Sequence, residues 1–307
     1  MTSFPSRRSF LRSALLAPAA AAVVPVVGVA GSIFAAAPKK RALRKAVMYA
    51  TIGFKGSVME KFQALKAAGF EGVEPMSHMN ADDVAKALDA TGLKAASVCC
   101  NTHWQMPLSH PAEKVRDDGL TGLLQALRDA KRYGADSVLL VPGRVTKDVS
   151  YKDCWDRSIP VVRKAAALGE TLGVKIAVEN VWNDFILKPE QAAEYLDAIK
   201  SDHVGWHLDV GNTGRYNRAE TWVPVLGKRI LKLHIKEFNT KAVTPDNPGK
   251  GFGFKLLDGD NDWPAIMKAL DAVGYAGWGI SEQPGSQCAD AATMKDLSER
   301  MDKIFGM

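Results

Sequence analysis

Four short apolar segments in the second half of the chain each carry one side chain that can bind a metal ion. The four side chains are Glu179, Asp209, His234 and Glu282. Each also has an ordinary structural explanation, because an acid after a strand often caps the next helix and a lone histidine is often a core residue. Three carboxylates in one place, however, repel each other strongly unless a cation neutralises them. If the four segments are neighbouring strands, the pattern predicts a divalent metal site.

Three carboxylates and one imidazole form a mostly hard, oxygen-rich ligand set. Such a set favours one Mn²⁺ ion, with Mg²⁺, Co²⁺ or Zn²⁺ as alternatives. Four protein ligands leave two positions of an octahedral ion open, which is what a hydroxy-ketone needs to chelate through its carbonyl and hydroxyl oxygens. A metal held there lowers the pKa of the carbon-bound proton beside the carbonyl and stabilises the enediolate formed on its removal. The ligand set therefore predicts proton-transfer chemistry on a hydroxy-ketone.

Short strand-like runs alternate with amphipathic helical stretches along the chain. The predicted strands are 46–52, 72–75, 94–100, 137–141, 174–181, 204–210, 231–235 and 278–281. The predicted helices are 57–68, 81–91, 113–133, 151–172, 189–200, 222–226, 263–273 and 291–305. Regular β–α alternation, with glycines at helix ends, predicts a parallel sheet.

Eight β–α units in about 260 residues match the size of a (β/α)₈ barrel. We therefore predict an α/β fold, a single-domain TIM barrel over 38–307, in which polar residues at the carboxyl ends of strands build the active site. The alternative is an open doubly wound sheet. No GxGxxG follows the first strand, so a dinucleotide site gets no support.

The first 37 residues have the features of an export signal. A paired-arginine sequence, Arg7-Arg8, precedes an apolar stretch over 14–34 and the small residues Ala35-Ala36-Ala37. This resembles a twin-arginine signal peptide, and it predicts passage through the twin-arginine export machinery to the periplasm, with a retained membrane anchor as the alternative. Its removal would take away three arginines and no acids, lowering the net charge from +6 to +3. That charge is too small to indicate nucleic-acid binding.

Several motifs together resemble the xylose isomerase-like TIM barrels, a family of sugar phosphate isomerases and epimerases. The matching motifs are Gly69-Phe70-Glu71-Gly72-Val73-Glu74, Val178-Glu179-Asn180, His207-Leu208-Asp209-Val210-Gly211-Asn212, Leu233-His234-Ile235-Lys236, Leu257-Asp258-Gly259-Asp260-Asn261-Asp262-Trp263 and Ile280-Ser281-Glu282. The resemblance covers essentially the whole chain after the signal. It implies a metal held by Glu179, Asp209, His234 and Glu282, with Glu179 and Glu282 as the catalytic acid and base on opposite faces of the substrate.

The same resemblance, together with the position of aromatic residues just past strand ends, predicts the substrate-binding groups. These are Glu74, His103, Trp104, Trp182, His207, Asn212 and Lys236. Trp104 and Trp182 are expected to stack on a sugar ring, although packing is the commoner reason for tryptophan at such positions. The glycine-rich stretch 239–262 is either a lid or a solvated loop.

The leading prediction is a periplasmic, metal-dependent isomerase or epimerase of a sugar or sugar-derived ketone. Two departures from the ketose 3-epimerases favour a lyase or hydratase on keto-sugars or keto-glycosides as the alternative: Asn212 stands where those enzymes have histidine, and Thr240 where they have arginine.

An AP-endonuclease-like hydrolase would need more metal ligands and a basic groove. A non-catalytic sugar-binding barrel is the remaining class. By analogy with related barrels, we expect a small carbohydrate substrate and a homo-oligomer.

Overall fold

The computed structural model describes residues 41–307, and its framework is a ring of parallel strands. The strands are β1 (Leu43–Met48), β2 (Gly72–Glu74), β3 (Lys94–Ala95), β4 (Val98–Cys99), β5 (Ser137–Leu140), β6 (Lys175–Glu179), β7 (Val204–Asp209), β8 (Ile230–Ile235) and β9 (Gly277–Ser281). Their order in the sheet is β3-β2-β1-β9-β8-β7-β6-β5-β4. The predicted export signal lies outside the described residues.

The sheet closes because β3 and β4 are two halves of one interrupted strand. β3 pairs with β2, while β4 pairs with β5 at the other end of the strand order. A parallel bridge between Met76 and Cys99 joins the two sides directly. The nine segments therefore correspond to the eight predicted strands, and the predicted (β/α)₈ barrel is confirmed. Residues 41–307 form one compact unit.

Nine α-helices within residues 41–307 surround or connect these strands. They are α1 (Val58–Ala67), α2 (Ala81–Thr91), α3 (Glu113–Tyr133), α4 (Tyr151–Leu172), α5 (Pro189–Ile199), α6 (Val210–Thr213), α7 (Ala219–Leu226), α8 (Trp263–Ala272) and α9 (Ala291–Phe305). The two longest, α3 and α4, end at Gly134 and Gly173, whose φ angles of 74° and 68° place them in the left-handed region that favours glycine. Among the helices of residues 41–307, none is both long and apolar enough to cross a membrane.

The first strand is the element that differs most from its predicted bounds of 46–52. It begins at Leu43, because Leu43, Arg44 and Lys45 pair with β9, and it ends at Met48. Tyr49–Thr51 then turn into a short 3₁₀ helix. The charged residues Arg44 and Lys45 interrupt the apolar run, so the sequence pattern placed the start of the strand three residues too late. The Arg44 guanidinium lies 3.9 Å from the ring centroid of Trp278, while Lys45 is buried and donates to Ser298 Oγ and Asp302.

Two apolar layers hold the barrel. The larger lies between the strands and the helices and includes the fully buried Phe62, Leu127 and Trp222. A smaller cluster contains Ala46, Met48, Ala96, Cys99, Leu139, Trp278 and Ile280. Burial on both faces is usual for parallel strands covered by helices. It leaves the carboxyl ends of the strands as the place where polar side chains gather.

Candidate metal centre and substrate cavity

The four predicted metal ligands come from four consecutive strands and meet at the same end of the barrel. Glu179 and Asp209 are the last residues of β6 and β7, His234 is the penultimate residue of β8, and Glu282 directly follows β9. One ligand atom from each lies within 4.8 Å of the others. The Nδ1 atom of His234 is 2.8 Å from Glu179 Oε1, 3.3 Å from Glu282 Oε2 and 3.8 Å from Asp209 Oδ2.

One carboxylate oxygen of Asp209 accepts a hydrogen bond, and the other accepts none. It is the N-cap of α6, and its Oδ1 accepts a hydrogen bond of 2.7 Å from the backbone N–H of Asn212. The side chain of Asn180 fixes the backbone of Asp209, donating to its carbonyl at 2.8 Å and accepting from its N–H at 3.0 Å. The Oδ2 atom is buried without a hydrogen-bond partner among residues 41–307. An orphaned buried carboxylate oxygen is what a metal ion would satisfy.

His234 is oriented by a carboxylate on the far side of its ring. Its Nε2 lies 3.0 Å from Glu74 Oε2, and both side chains are fully buried. The Nε2 side of the ring thus faces Glu74, whereas Nδ1, 2.8 Å from Glu179 Oε1, faces the other three ligands. A carboxylate on the second ring nitrogen is the usual support of a metal-binding histidine, because it fixes the tautomer and makes the ligand more basic.

The acidic side chains have different electrostatic environments. Burial raises the pKa of Glu179 to about 7, and burial also raises the pKa of Asp209. Burial opposes ionisation of Glu282 as well, but Lys236 and His234 outweigh it and hold the pKa of Glu282 well below its ordinary value. For His234, burial lowers the pKa, but the neighbouring carboxylates raise it well above the ordinary value. Without a metal, the cluster is therefore neutralised by protons and by Lys236.

The donor set, the orphaned oxygen of Asp209 and the crowded negative charge all fit one divalent cation. A metal can take over the neutralising role that the protons have, since it binds the deprotonated ligands. Glu282 is the most accessible of the four ligands, with 21% of its side chain exposed, whereas Asp209 and His234 are fully buried. The open side of the centre thus faces a cavity.

Lys236 connects the metal centre to that cavity. Its Nζ lies 2.8 Å from Glu282 Oε2 and 3.5 Å from Asp209 Oδ2. The close passage of its side chain requires glycine at position 211, because a Cβ there would lie 2.8 Å from Lys236 Cγ. Burial lowers the pKa of Lys236, but the two carboxylates outweigh it and raise the pKa above the ordinary value. Lys236 is therefore a fixed positive charge beside Glu282.

A cavity of about 260 Å³ opens above the metal centre. Among its lining residues are two of the metal ligands and five predicted substrate-binding residues: Glu179, Glu282, His103, Trp104, Trp182, Asn212 and Lys236. Trp104 is 46% exposed, so its ring is accessible as a stacking surface for a sugar. Trp182 is held in place, since its Nε1 donates to the carbonyl of Asn212 at 2.9 Å.

Glu74 was expected to line the mouth, and His207 was expected either to bind substrate or to support a ligand from nearby; neither side chain lines the cavity. Both are fully buried, and Glu74 is directed to His234. The ring of His207 packs edge-on against that of His234, with centroids 4.1 Å apart. Neither of its ring nitrogens has a hydrogen-bond partner within residues 41–307, and burial holds its pKa well below the ordinary value.

Three residues of the site were not predicted as site residues from the sequence. Asn180 fixes the backbone of Asp209. The sequence did contain a signal for this residue, because it directly follows Glu179 in the motif Val178-Glu179-Asn180. Phe252 comes from the stretch 239–262, lines the cavity and packs on Trp182 with ring centroids 4.7 Å apart. Glu237 anchors the same stretch by accepting from Trp263 Nε1 and the N–H of Leu257. The stretch is therefore one wall of the cavity.

Comparisons with known proteins agree with this fold. The sequence profile described as "Xylose isomerase-like TIM barrel" matches residues 62–304. The L-ribulose-5-phosphate 3-epimerase UlaE of Escherichia coli (strain K12) is 22% identical over 255 residues, covering 76% of this chain and 87% of the relative.

Two solved structures share the barrel. D-psicose 3-epimerase from Clostridium cellulolyticum H10, crystallised with D-tagatose, has a TM-score of 0.69 at 16% identity, covering 85% of this chain and 98% of the other. The IolI protein with a bound zinc atom has a TM-score of 0.72 at 17% identity, with the same coverage of 85% and 98%. At these identities the likeness concerns the fold.

Proposed function

The chain belongs to the xylose isomerase-like TIM barrel family, and we propose that it is a divalent-metal-dependent isomerase or epimerase of a sugar or sugar-derived ketone. The observation that carries the proposal is the convergence of Glu179, Asp209, His234 and Glu282 at the floor of an open cavity. The 3-epimerase activity named for the relative UlaE supports the same class of reaction.

Four side chains would hold the metal: Glu179, Asp209, His234 and Glu282. When bound, the ion would polarise the substrate carbonyl and stabilise the negative charge that develops on its oxygen. We propose Mn²⁺ as the native ion on the basis of the three carboxylates. Glu74 would hold His234 in the orientation required for binding.

Glu179 and Glu282 would move the proton. Deprotonation beside the carbonyl needs a carboxylate base, and return of the proton needs an acid, so the two groups must favour opposite protonation states. Both carboxyl groups line the cavity, one at the end of β6 and the other directly after β9, so both can reach a bound substrate. The cation of Lys236, 2.8 Å from Glu282, keeps Glu282 ionised as the base. Trp104 and Trp182 would bind the apolar faces of the sugar.

A lyase or hydratase acting on a keto-sugar is the second candidate, and two contacts favour it. Asn212 donates its side-chain N–H to the carbonyl of Asn180, and Thr240 donates both its backbone N–H and its hydroxyl to Asp260. These positions hold substrate in the ketose 3-epimerases, but here both side chains are used within the protein. The first proton abstraction would be the same, and the intermediate would then expel a β-substituent.

We further propose that the protein acts outside the cytoplasm, after export through the twin-arginine machinery, on an unphosphorylated carbohydrate. The paired arginines at the start of the sequence support export. Lys236 is the lysine that lines the cavity above the metal centre, and it is already paired with Glu282. This pairing argues against a phosphate group bound by Lys236. Ribulose and ribulose 5-phosphate, assayed side by side, would decide this point.

The test is deuterium incorporation from D₂O into a panel of free and glycosylated keto-sugars, using the full chain loaded with Mn²⁺. We expect metal-dependent exchange of the proton beside the carbonyl, reduced by about 10²–10⁴-fold in Glu179→Gln and in Glu282→Gln. Glu190→Gln, an exposed glutamate in the first turn of α5, is the matched control and should leave exchange unchanged. NMR of the products separates epimers from elimination products. Absence of exchange in every ketone, with metal bound, would overturn the proposal.

A further inference from the structure

A second cavity, of about 310 Å³, adjoins the one above the metal centre. Two segments form it: 103–111, which follows β4, and 143–149, which follows β5. His103 and Trp104 line both cavities, so these two side chains form the boundary between them. The metal-side cavity alone falls just below the size range of about 300–1,000 Å³ that is usual for small-molecule pockets, whereas the two together fall well within it.

The lining of the second cavity suits a neutral polyhydroxylated ring. Trp104, Pro107 and Pro111 supply apolar surface of the kind that packs against the C–H faces of a sugar. Arg144 and Asp148 carry opposite charges and are both exposed, so they can bind hydroxyl groups as donor and acceptor. A site for an anion such as phosphate would be expected to present cations without an opposing carboxylate.

His103 offers a hydrogen-bond donor at the boundary. The backbone N–H of Val141 donates to His103 Nδ1 at 3.3 Å, so the proton of the neutral ring is on Nε2. In residues 41–307 that Nε2–H has no acceptor. Its ring is buried and held edge-on to Trp104, with centroids 5.3 Å apart. This donor therefore belongs to a residue that lines both cavities.

We propose that the substrate is a disaccharide or other glycoside with two rings. The keto-bearing ring would occupy the cavity above the metal centre, and the second ring would occupy the cavity lined by Trp104, Arg144 and Asp148. His103 would donate to the bridging oxygen. This inference rests on the proposed function, because it places the reacting ring at the metal ligands.

The test separates binding of the second ring from catalysis. Binding of the single-ring ketoses fructose and tagatose and of the keto-disaccharides turanose, lactulose and isomaltulose to the Mn²⁺-loaded full chain would be measured by calorimetry. We expect at least one disaccharide to bind about tenfold or more tightly than either single-ring probe, since the second ring adds contacts of about 1.4 kcal/mol or more. Exchange in D₂O would be measured separately, on free ketoses and keto-disaccharides.

Two variants test the location of the second ring. Thr146→Trp fills the second cavity, and Arg144→Ala removes one polar contact without adding bulk; circular dichroism and thermal unfolding would show that each is folded. Both should reduce the preference for the disaccharide over the single ring. Lys164→Ala, an exposed residue of α4 that does not line the cavity, is the control and should change neither affinity.

The inference is overturned if every keto-disaccharide binds no more tightly than fructose or tagatose, or if the preference survives in both folded variants. It is also overturned if inorganic phosphate binds to the wild type and this binding is lost in Arg144→Ala. The second cavity would then be an anion site. Disaccharide binding that depends on Arg144, with no exchange in any ketone, would support the two-ring site and refute the proposed isomerase function.

Discussion

Replacing Glu74 by Gln should weaken metal binding although Glu74 is not a metal ligand. Its Oε2 lies 3.0 Å from His234 Nε2, in a contact with both side chains fully buried. Gln has nearly the same shape and can still accept through its carbonyl, so the change removes the negative charge that makes the imidazole a stronger donor to the metal. Loss of such a supporting carboxylate typically lowers metal affinity about 10–100-fold, which corresponds to about 1.4–2.7 kcal/mol.

The assay is Mn²⁺ titration of metal-stripped full chain, with free Mn²⁺ followed by electron paramagnetic resonance. Glu71→Gln, an exposed glutamate three residues earlier, is the matched control and should bind Mn²⁺ as the wild type does. Urea unfolding of the metal-free proteins would show whether Glu74→Gln is folded. A folded Glu74→Gln variant with wild-type Mn²⁺ affinity would refute the idea that Glu74 acts through His234.

Three further changes have expected outcomes. Mn²⁺ affinity should fall as the pH is lowered from 8 to 6, because protons compete for His234, whose pKa is raised, and for Glu179, with a pKa of about 7; titrations at several pH values check this. Lys236→Met should raise the pKa of Glu282 and move the acid limb of the pH–rate profile to higher pH. Asn180→Ala should lower the free energy of unfolding in urea by about 1–3 kcal/mol, since buried backbone groups of Asp209 lose their partner.

Much of the barrel was predictable because its signals are local. Helices α2, α3 and α4 have the predicted bounds, since capping residues such as Asn80 and Ser150 and the terminal Gly134 mark their ends within a few positions. The break between β3 and β4 was not predictable. It depends on pairing with different neighbours on the two sides of Ala96 and Ser97, which a single sequence does not reveal.

The candidate metal ligands were predictable for a different reason. The carboxyl ends of parallel strands share one rim, so a polar side chain at each strand end is enough to bring Glu179, Asp209, His234 and Glu282 together. The contact of Glu74 with His234 joins residues 160 positions apart, and nothing in the local pattern distinguishes it from a residue of the mouth. The contribution of Phe252 was hidden because it depends on how a long glycine-rich stretch folds back over Trp182.

The most direct test of the account is the number of Mn²⁺ ions bound per chain, measured by equilibrium dialysis on the full chain. We predict one ion in the wild type and strongly weakened binding in both Asp209→Asn and His234→Gln. Binding of no ion would contradict the metal-dependent mechanism. Binding of two would contradict the single centre; within residues 41–307, the buried group of Glu74, His207 and His234 is the other candidate for a metal.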